Sequence, residues 1–451
     1  MRKGLGSPRF VLSLLVVTLL LSSLVGGCAS GTPATGTPAP AATAERPAAT
    51  AAPTTAPAAS TKAQESAKPA AASTSAPAAK VSSVKVGVLD AFSGPLAPIG
   101  ESAKRGVELA NDYINAQGGI KSMGGAKIEL VYADHEGKPD LVMSQEERLA
   151  QEGVVAVLGA HTSAATIVST QAGERLKVPQ VVPLGIADAI TERGFKYTFR
   201  PSVKSDWFVK DQVDFLPFLA KVKGINIKKV ALLYEDTEYG QSNAAGQKKY
   251  LAKGGYDIVA DLSYPAGAKD VSPIVSKLKA ANPDVTVQTS YLADALLITK
   301  TMDQLGFKGI VIGAGAGHVS GDFIKGLGPL AENIFAVAMW NSDLANAQDV
   351  MKAFKAKYPS AVADQDFAIY YQSMLVLKEA LEKAGKADRE ALRDALSKLD
   401  FTGPMLMAYE RIQFGEDGQN KQEYTHNVMT QVQDGKAVTV WPEKYATAKI
   451  R

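Results

Sequence analysis

From residue 84 onward the chain alternates short apolar runs with segments whose apolar residues recur every three or four positions, and it does so twice over. Val84-Lys85-Val86-Gly87-Val88-Leu89 has the pattern of a buried strand. Ala103, Val107, Ala110 and Ile114 then fall on one face of a helix that Gly118-Gly119 closes. Strands are expected over 128–131, 154–158 and 180–183, with helices from Pro139 to about 151 and over 163–177. The alternation restarts near Asp206: strands at 230–234, 258–264, 285–289 and 309–312 are interleaved with helices at 241–253, 271–280 and 293–305. A strand at 334–339 leads to a helix carrying Phe367, Tyr370, Met374, Leu377, Leu381 and Ala384 on one face, which reads as core. Strands at 411–414, 427–432 and 437–441 end the chain, with a hairpin turn at Asp434-Gly435. Short strands separated by helices bury both faces of a sheet, so the expected class is α/β, with two similar lobes of doubly wound parallel sheet.

What precedes residue 84 is of another kind. Arg2, Lys3 and Arg9 precede an apolar run over 10–24 and then Val25-Gly26-Gly27-Cys28, the pattern of a secretory signal with small residues ahead of a cysteine. The apolar run is shorter than the roughly 20 residues of a spanning helix. Cys28 is the only cysteine of the 451 residues, so it forms no intrachain disulfide. Its position resembles a bacterial lipobox, which implies removal of 1–27, acylation of Cys28 and a membrane anchor on the extracytoplasmic side. Residues 29–80 are nearly all Ala, Thr, Pro, Ser and Gly, too polar and too small to offset the entropy of ordering. They are expected to form a disordered tether, with a reach on the order of 150 Å. Residues 1–27 carry three positive charges and no acid, so the rest of this chain of formal charge +3 is neutral. A neutral body offers no electrostatic reason for a nucleic-acid partner.

Local motifs for catalysis or cofactors are missing from the sequence. It has no Gly-x-x-x-x-Gly-Lys-Ser/Thr loop, and Ser163 does not sit in a Gly-x-Ser-x-Gly elbow. Gly313-Ala314-Gly315-Ala316-Gly317 follows a strand, but His318 and Ser320 stand where a dinucleotide fingerprint needs glycine. The histidines at 135, 161, 318 and 426 have no histidine three or four residues away, so neither a metal site nor a cofactor is expected. The strand ending at Gly159 leads into His161-Thr162-Ser163-Ala164, where hydroxyls and free N–H groups at a helix start suit a carboxylate.

Several segments, in this order and spacing, resemble the solute-binding proteins of ABC importers of the type that binds leucine and other branched-chain amino acids. They are Val86-Gly87-Val88-Leu89-Asp90-Ala91-Phe92-Ser93-Gly94-Pro95, Gly106-Val107-Glu108-Leu109-Ala110, Ile114-Asn115-Ala116-Gln117-Gly118-Gly119-Ile120, Gly153-Val154-Val155-Ala156-Val157-Leu158-Gly159, and Val230-Ala231-Leu232-Leu233-Tyr234-Glu235-Asp236 with Tyr239-Gly240. The resemblance implies a type I periplasmic binding fold: two lobes joined by three crossings, with ligand in the cleft and closure about the hinge. It places one lobe at 84–203 plus 339–402 and the other at 204–337 plus 404–445, with crossings near Pro201, 336–340 and 402–404. It implies a monomer that binds a small molecule, is not an enzyme, and docks on a membrane permease. Ser163, beside Thr162, matches the family's carboxylate-holding serine, Tyr239 and Tyr291 match pocket tyrosines, and Ile99 stands where the family often has an aromatic wall.

Two departures bear on the ligand. Where the family commonly places a threonine that binds both ends of an amino acid, this chain reads Leu184-Gly185-Ile186, leaving only the Gly185 backbone. Where the family has an acid for the ligand's ammonium, Gly315 stands. A buried ammonium without a carboxylate is costly to desolvate, so an organic acid or amide is expected ahead of an α-amino acid. Two other readings compete with import: a ligand-sensing receptor of the same fold, and a surface-attached hydrolase.

Overall fold

The computed structural model describes residues 82–451. The signal segment, Cys28 and all but the end of the tether lie outside the described residues. The chain opens with β1 (Ser83–Asp90), α1 (Ala97–Ala116), β2 (Lys127–Asp134), α2 (Pro139–Gln151), β3 (Ala156–Gly159), α3 (Ser163–Leu176), β4 (Gln180–Val181) and β5 (Thr198–Phe199). These strands form one parallel sheet in the order β2-β1-β3-β4-β5. Pro139 at the first position of α2 lacks an N–H that the helix would leave unpaired in any case, which is why that boundary is readable.

The second set comprises α4 (Ser205–Lys223), β6 (Lys229–Glu235), α5 (Glu238–Lys253), β7 (Asp257–Tyr264), α6 (Ser272–Ala281), β8 (Val285–Thr289), α7 (Leu292–Gln304), β9 (Ile310–Ala314), α8 (Gly321–Leu327) and β10 (Phe335–Ala338). Three helices follow, α9 (Gln348–Lys357), α10 (Gln365–Ala384) and α11 (Arg389–Ser397). The chain ends with β11 (Asp400–Phe401), β12 (Ile412–Gln413), β13 (Val428–Gln433) and β14 (Lys436–Trp441). The second sheet runs β14-β13-β10-β9-β8-β6-β7, parallel except for the antiparallel β13 and β14. Interior β8 is buried throughout, whereas edge strand β7 exposes Asp257, Ile258, Asp261 and Ser263.

α10 departs from the one-sided pattern read in the sequence: residues 365–377 are buried on every face. It crosses α1 closely because Gly106 has no side chain; a Cβ there would lie 2.2 Å from the Phe367 carbonyl oxygen. The expected terminal strand at 411–414 shrinks to β12, which pairs with β11 in a separate ribbon and joins neither sheet. Beyond it, Gln419 lies in a bridge beside Arg200, and Asn420 Nδ2 donates to the Pro201 carbonyl at 3.2 Å. The chain re-enters the second sheet only at Val428, well after the 402–404 crossing expected from the sequence. Among the described residues no helix is long and apolar enough to cross a membrane.

Candidate functional site

Loops at the carboxyl ends of strands from both sheets converge on a cavity of about 40 Å³, the position where open α/β sheets take ligands. Ser163, Gly185, Tyr239, Tyr291 and Gly315 all line it. Thr162 and Ile99 do not: they line a separate recess of about 460 Å³ that shares Tyr291 with the cavity. Thr162 caps α3, its hydroxyl accepting the Ala165 N–H at 3.3 Å, which turns it away from its neighbour's cavity.

On the first-sheet side, Ser163 Oγ accepts the Ala187 N–H at 3.2 Å, which leaves its own O–H free to donate. The N–H groups of the first turn of α3 point the same way by helix geometry. From the second sheet, the turn after β6 delivers Tyr239. Glu235 Oε1 accepts the Gly240 N–H at 2.7 Å and the Thr237 hydroxyl at 2.9 Å, fixing the helix start on either side of that tyrosine. The Tyr239 hydroxyl donates to the Ala314 carbonyl, and its ring packs on Tyr291 with centroids 5.3 Å apart. Burial pushes both phenol pKa values up, so both stay neutral donors.

Gly315 is a glycine for two reasons. Its φ of 66° with ψ of −144° belongs to a region that only glycine visits freely. A Cβ there would also lie 2.9 Å from Phe208 Cζ, so the aromatic ring occupies the room a side chain would need.

The sequence reading missed the charged part of the cavity. His161 and Asp366 both line it, at 8% and 5% exposure. His161 Nδ1 lies 3.4 Å from Asp90 Oδ2, and its Nε2 lies 3.7 Å from Asp366 Oδ2. Burial alone would depress the imidazole, but the Asp90 and Asp366 carboxylates outweigh it and push it up to about 9. Burial drives the Asp366 carboxyl upward, with Asp364 and Asp90 adding to it and His161 opposing. Asp90 is lowered: His161 and the hydroxyl of Tyr370 outweigh its burial. Gln365, Met339, Leu184, Ile186, Phe208 and Ala316 complete the lining. Asp364-Gln365-Asp366 reads in sequence as an ordinary helix start, and Asp364 does cap α10 through the Phe367 N–H at 3.2 Å. Only the packing of α10 brings the next acid into the cavity.

The periplasmic binding protein family profile matches residues 83–436. This chain belongs to the periplasmic binding protein family. A family member from Brucella suis biovar 1, Leu/Ile/Val-binding protein homolog 7, is 32% identical over 383 residues, spanning 82% of this chain and 94% of that protein. The branched-chain amino acid transporter substrate binding protein LivJ of Streptococcus pneumoniae, solved with isoleucine, matches with a TM-score of 0.69 and 26% identity over 80% of this chain and 100% of that one. The leucine binding protein LivK of Thermotoga maritima matches with a TM-score of 0.70 and 22% identity, over 79% of this chain and 98% of that one, a likeness of fold. The type I periplasmic binding protein fold, of the branched-chain amino acid type, is therefore the fold of this chain. Proteins of this family are extracytoplasmic solute-binding proteins rather than enzymes.

Proposed function

We propose that this chain is the extracytoplasmic solute-binding lipoprotein of an ABC importer, acting as a monomer, anchored at Cys28 and held off the membrane by the segment before residue 84. It captures a small polar solute, an amino acid, organic acid or amide, and hands it unchanged to a membrane permease. One lobe is the first sheet with α9 to α11, the other the second sheet; residues 200–202, 338–340 and 414–427 cross between them.

The observation that carries this reading is the convergence of Ser163, with its free hydroxyl, and the Tyr239–Tyr291 pair on one cavity from opposite sheets. About 40 Å³ is far below the several hundred Å³ of a typical small-molecule site, which supports reading the cavity as a closed cleft that opens to admit a ligand.

A thermal-shift screen of amino acids, organic acids, amides and sugars on the purified protein tests the reading. One or more carboxylates should raise the melting temperature, and Ser163→Ala should weaken the best of them by about 1–3 kcal/mol in calorimetry. A site that takes only sugars, or chemical conversion of the bound solute, refutes it.

A further inference from the structure

Three carboxylates and one imidazolium meet on the first-sheet side of the cavity, and one of the carboxylates has no donor of its own. Asp90, at the end of β1, accepts the Ala91 N–H at 2.7 Å and the Tyr370 hydroxyl at 2.5 Å, and lies 3.4 Å from His161 Nδ1. Asp364 accepts the Ser102 hydroxyl and the Phe367 N–H, with Arg105 of α1 acting on it. Asp366 is 5% exposed and lines the cavity, and among the described residues no hydrogen-bond donor reaches it. Its nearest cation is His161 Nε2 at 3.7 Å, which Asp90 shares. Beyond Asp90 stands His135, whose Nε2 lies 3.2 Å from the Ala160 carbonyl and which burial holds toward the neutral form. From the second sheet, α5 and the start of α7 bring only the neutral phenols of Tyr239 and Tyr291. Glu235 spends its carboxylate on Thr237 and Gly240. A buried carboxyl that receives no hydrogen bond and half of one cation is more stable as the neutral acid, whose O–H can itself donate.

We propose that capture of an anionic solute is proton-linked, with Asp366 taking one proton from solvent as the solute's carboxylate enters and then donating that O–H within the cavity. This rests on the solute-binding reading of the same cavity. The arriving carboxylate adds a negative charge to a small, nearly dry site, and two carboxylates sharing such a site do not both stay ionised. The proton offsets that charge, so the net charge of the site is unchanged by loading. Asp366 is the group that takes it: His161 is already protonated, and Asp90 and Asp364 would each give up bonds they accept. A proton that binds with the solute makes affinity fall by up to about tenfold per pH unit once the empty site has lost that proton. Acid surroundings then favour loading and alkaline ones release, a dependence built into the cavity of a protein that faces the outside of the cell.

Titration calorimetry of the full-length protein with isocaproate and with hydrocinnamate, in phosphate and in Tris at one pH and ionic strength, counts the protons exchanged. At pH 8 uptake should approach one proton per acid bound. Affinity should fall at least about tenfold between pH 6.5 and 8.5, below the pH of about 9 at which His161 loses its own proton. Asp366→Asn, neutral and a donor at every pH, should bind the same acids without proton uptake and with a flat profile, and at pH 8.5 at least as tightly as the wild type. Uptake below about half a proton in the wild type, uptake that survives in Asp366→Asn, or loss of binding by a variant that circular dichroism shows to be folded overturns the role of Asp366. If Asp366→Asn does not fold, the wild-type proton count decides. If neither these nor any other amine-free acid binds, the proton linkage falls, and the solute-binding reading falls with it only if amino acids and amides fail as well.

Discussion

Arg200 offers the sharpest test of how the crossing region supports the cavity. It is wholly buried, and among the described residues no carboxylate lies within ion-pair distance. Its guanidinium donates instead to Gly185 O, Ala187 O and Thr191 Oγ1, each at 2.9 Å, and to Gln419 Oε1 at 2.5 Å. Burial depresses it to about 10 despite Asp188 and Asp417, so it stays charged at neutral pH. Arg200→Met removes four charge-assisted bonds and orphans two buried carbonyls at about 1–3 kcal/mol each, and it relieves the several kcal/mol spent on burying the charge. The net expectation is a loss of about 2–5 kcal/mol of folding stability. The second consequence concerns the ligand. Gly185 lines the cavity, and Ala187 supplies the N–H that orients Ser163, so loosening both should weaken carboxylate binding about tenfold. Urea melts give the first number and calorimetry the second. A lysine reaches only one or two of these acceptors, so Arg200→Lys should fall between. A stability loss below about 1 kcal/mol with unchanged affinity would show that the crossing does not brace the site.

His161, raised from 6.5 to about 9, stabilises the folded state fully below its unfolded value, and that contribution is lost as pH rises from 6.5 through about 9. Urea midpoints followed across that window should fall in the wild type and flatten in His161→Gln; parallel profiles refute the assignment. Gly106→Ala drives a methyl to 2.2 Å from the Phe367 carbonyl and should cost about 1–3 kcal/mol by forcing α1 off α10, read as a lower melting temperature. Gly315→Ala combines a strained φ of 66° with a 2.9 Å contact to Phe208 and should cost about 1–3 kcal/mol; a neutral result would mean that the turn after β9 repacks freely.

Strand-to-loop boundaries were legible because buried parallel strands are short apolar runs, and the loops after several of them line the cavity. Ser163, Gly185, Tyr239, Tyr291 and Gly315, which line the cavity, were picked out that way, each just after a strand or at a helix start. The helix α4 was not read, although it covers the second sheet. Pro217 stands inside it, and a proline in a helix interior removes a hydrogen bond and crowds the carbonyl four residues back, so the sequence argues against a helix there. The short, polar helices α9 and α11 bury few residues each and left little apolar pattern to find. Thr162 failed as a cavity residue because its hydroxyl is spent on its own helix, which no spacing reveals. Asp366 was hidden by a different cause. The sequence reading of its helix began at Phe367 and saw only a core face, and only tertiary packing decides where that carboxylate faces.

The composition of the cavity also limits which contact can drive the proposed closure. A ligand changes a two-state equilibrium only by what it gains in one state and not in the other. Moving a cleft from about 1:99 to 99:1 in favour of closure takes about 5.5 kcal/mol of such differential binding. The hydroxyl of Ser163 supplies about 1–3 kcal/mol, and it belongs to the first sheet alone, so an open cleft keeps that contact. Burying an aliphatic side chain against Tyr239 and Tyr291 adds about 1.5–3 kcal/mol, and those rings belong to the second sheet. Neither contact by itself reaches the sum required. Asp366 lies in the first turn of α10, in the same lobe as Ser163, beside Gln365, whose Oε1 accepts the Met339 N–H at 2.8 Å. A contact on that side is kept in an open cleft, as the Ser163 contact is, so it adds affinity without by itself favouring closure. On the proposed reading, the contact at Ser163 recruits the solute in the first lobe, and closure is driven by what the solute gains when Tyr239 and Tyr291 are brought onto it from the second.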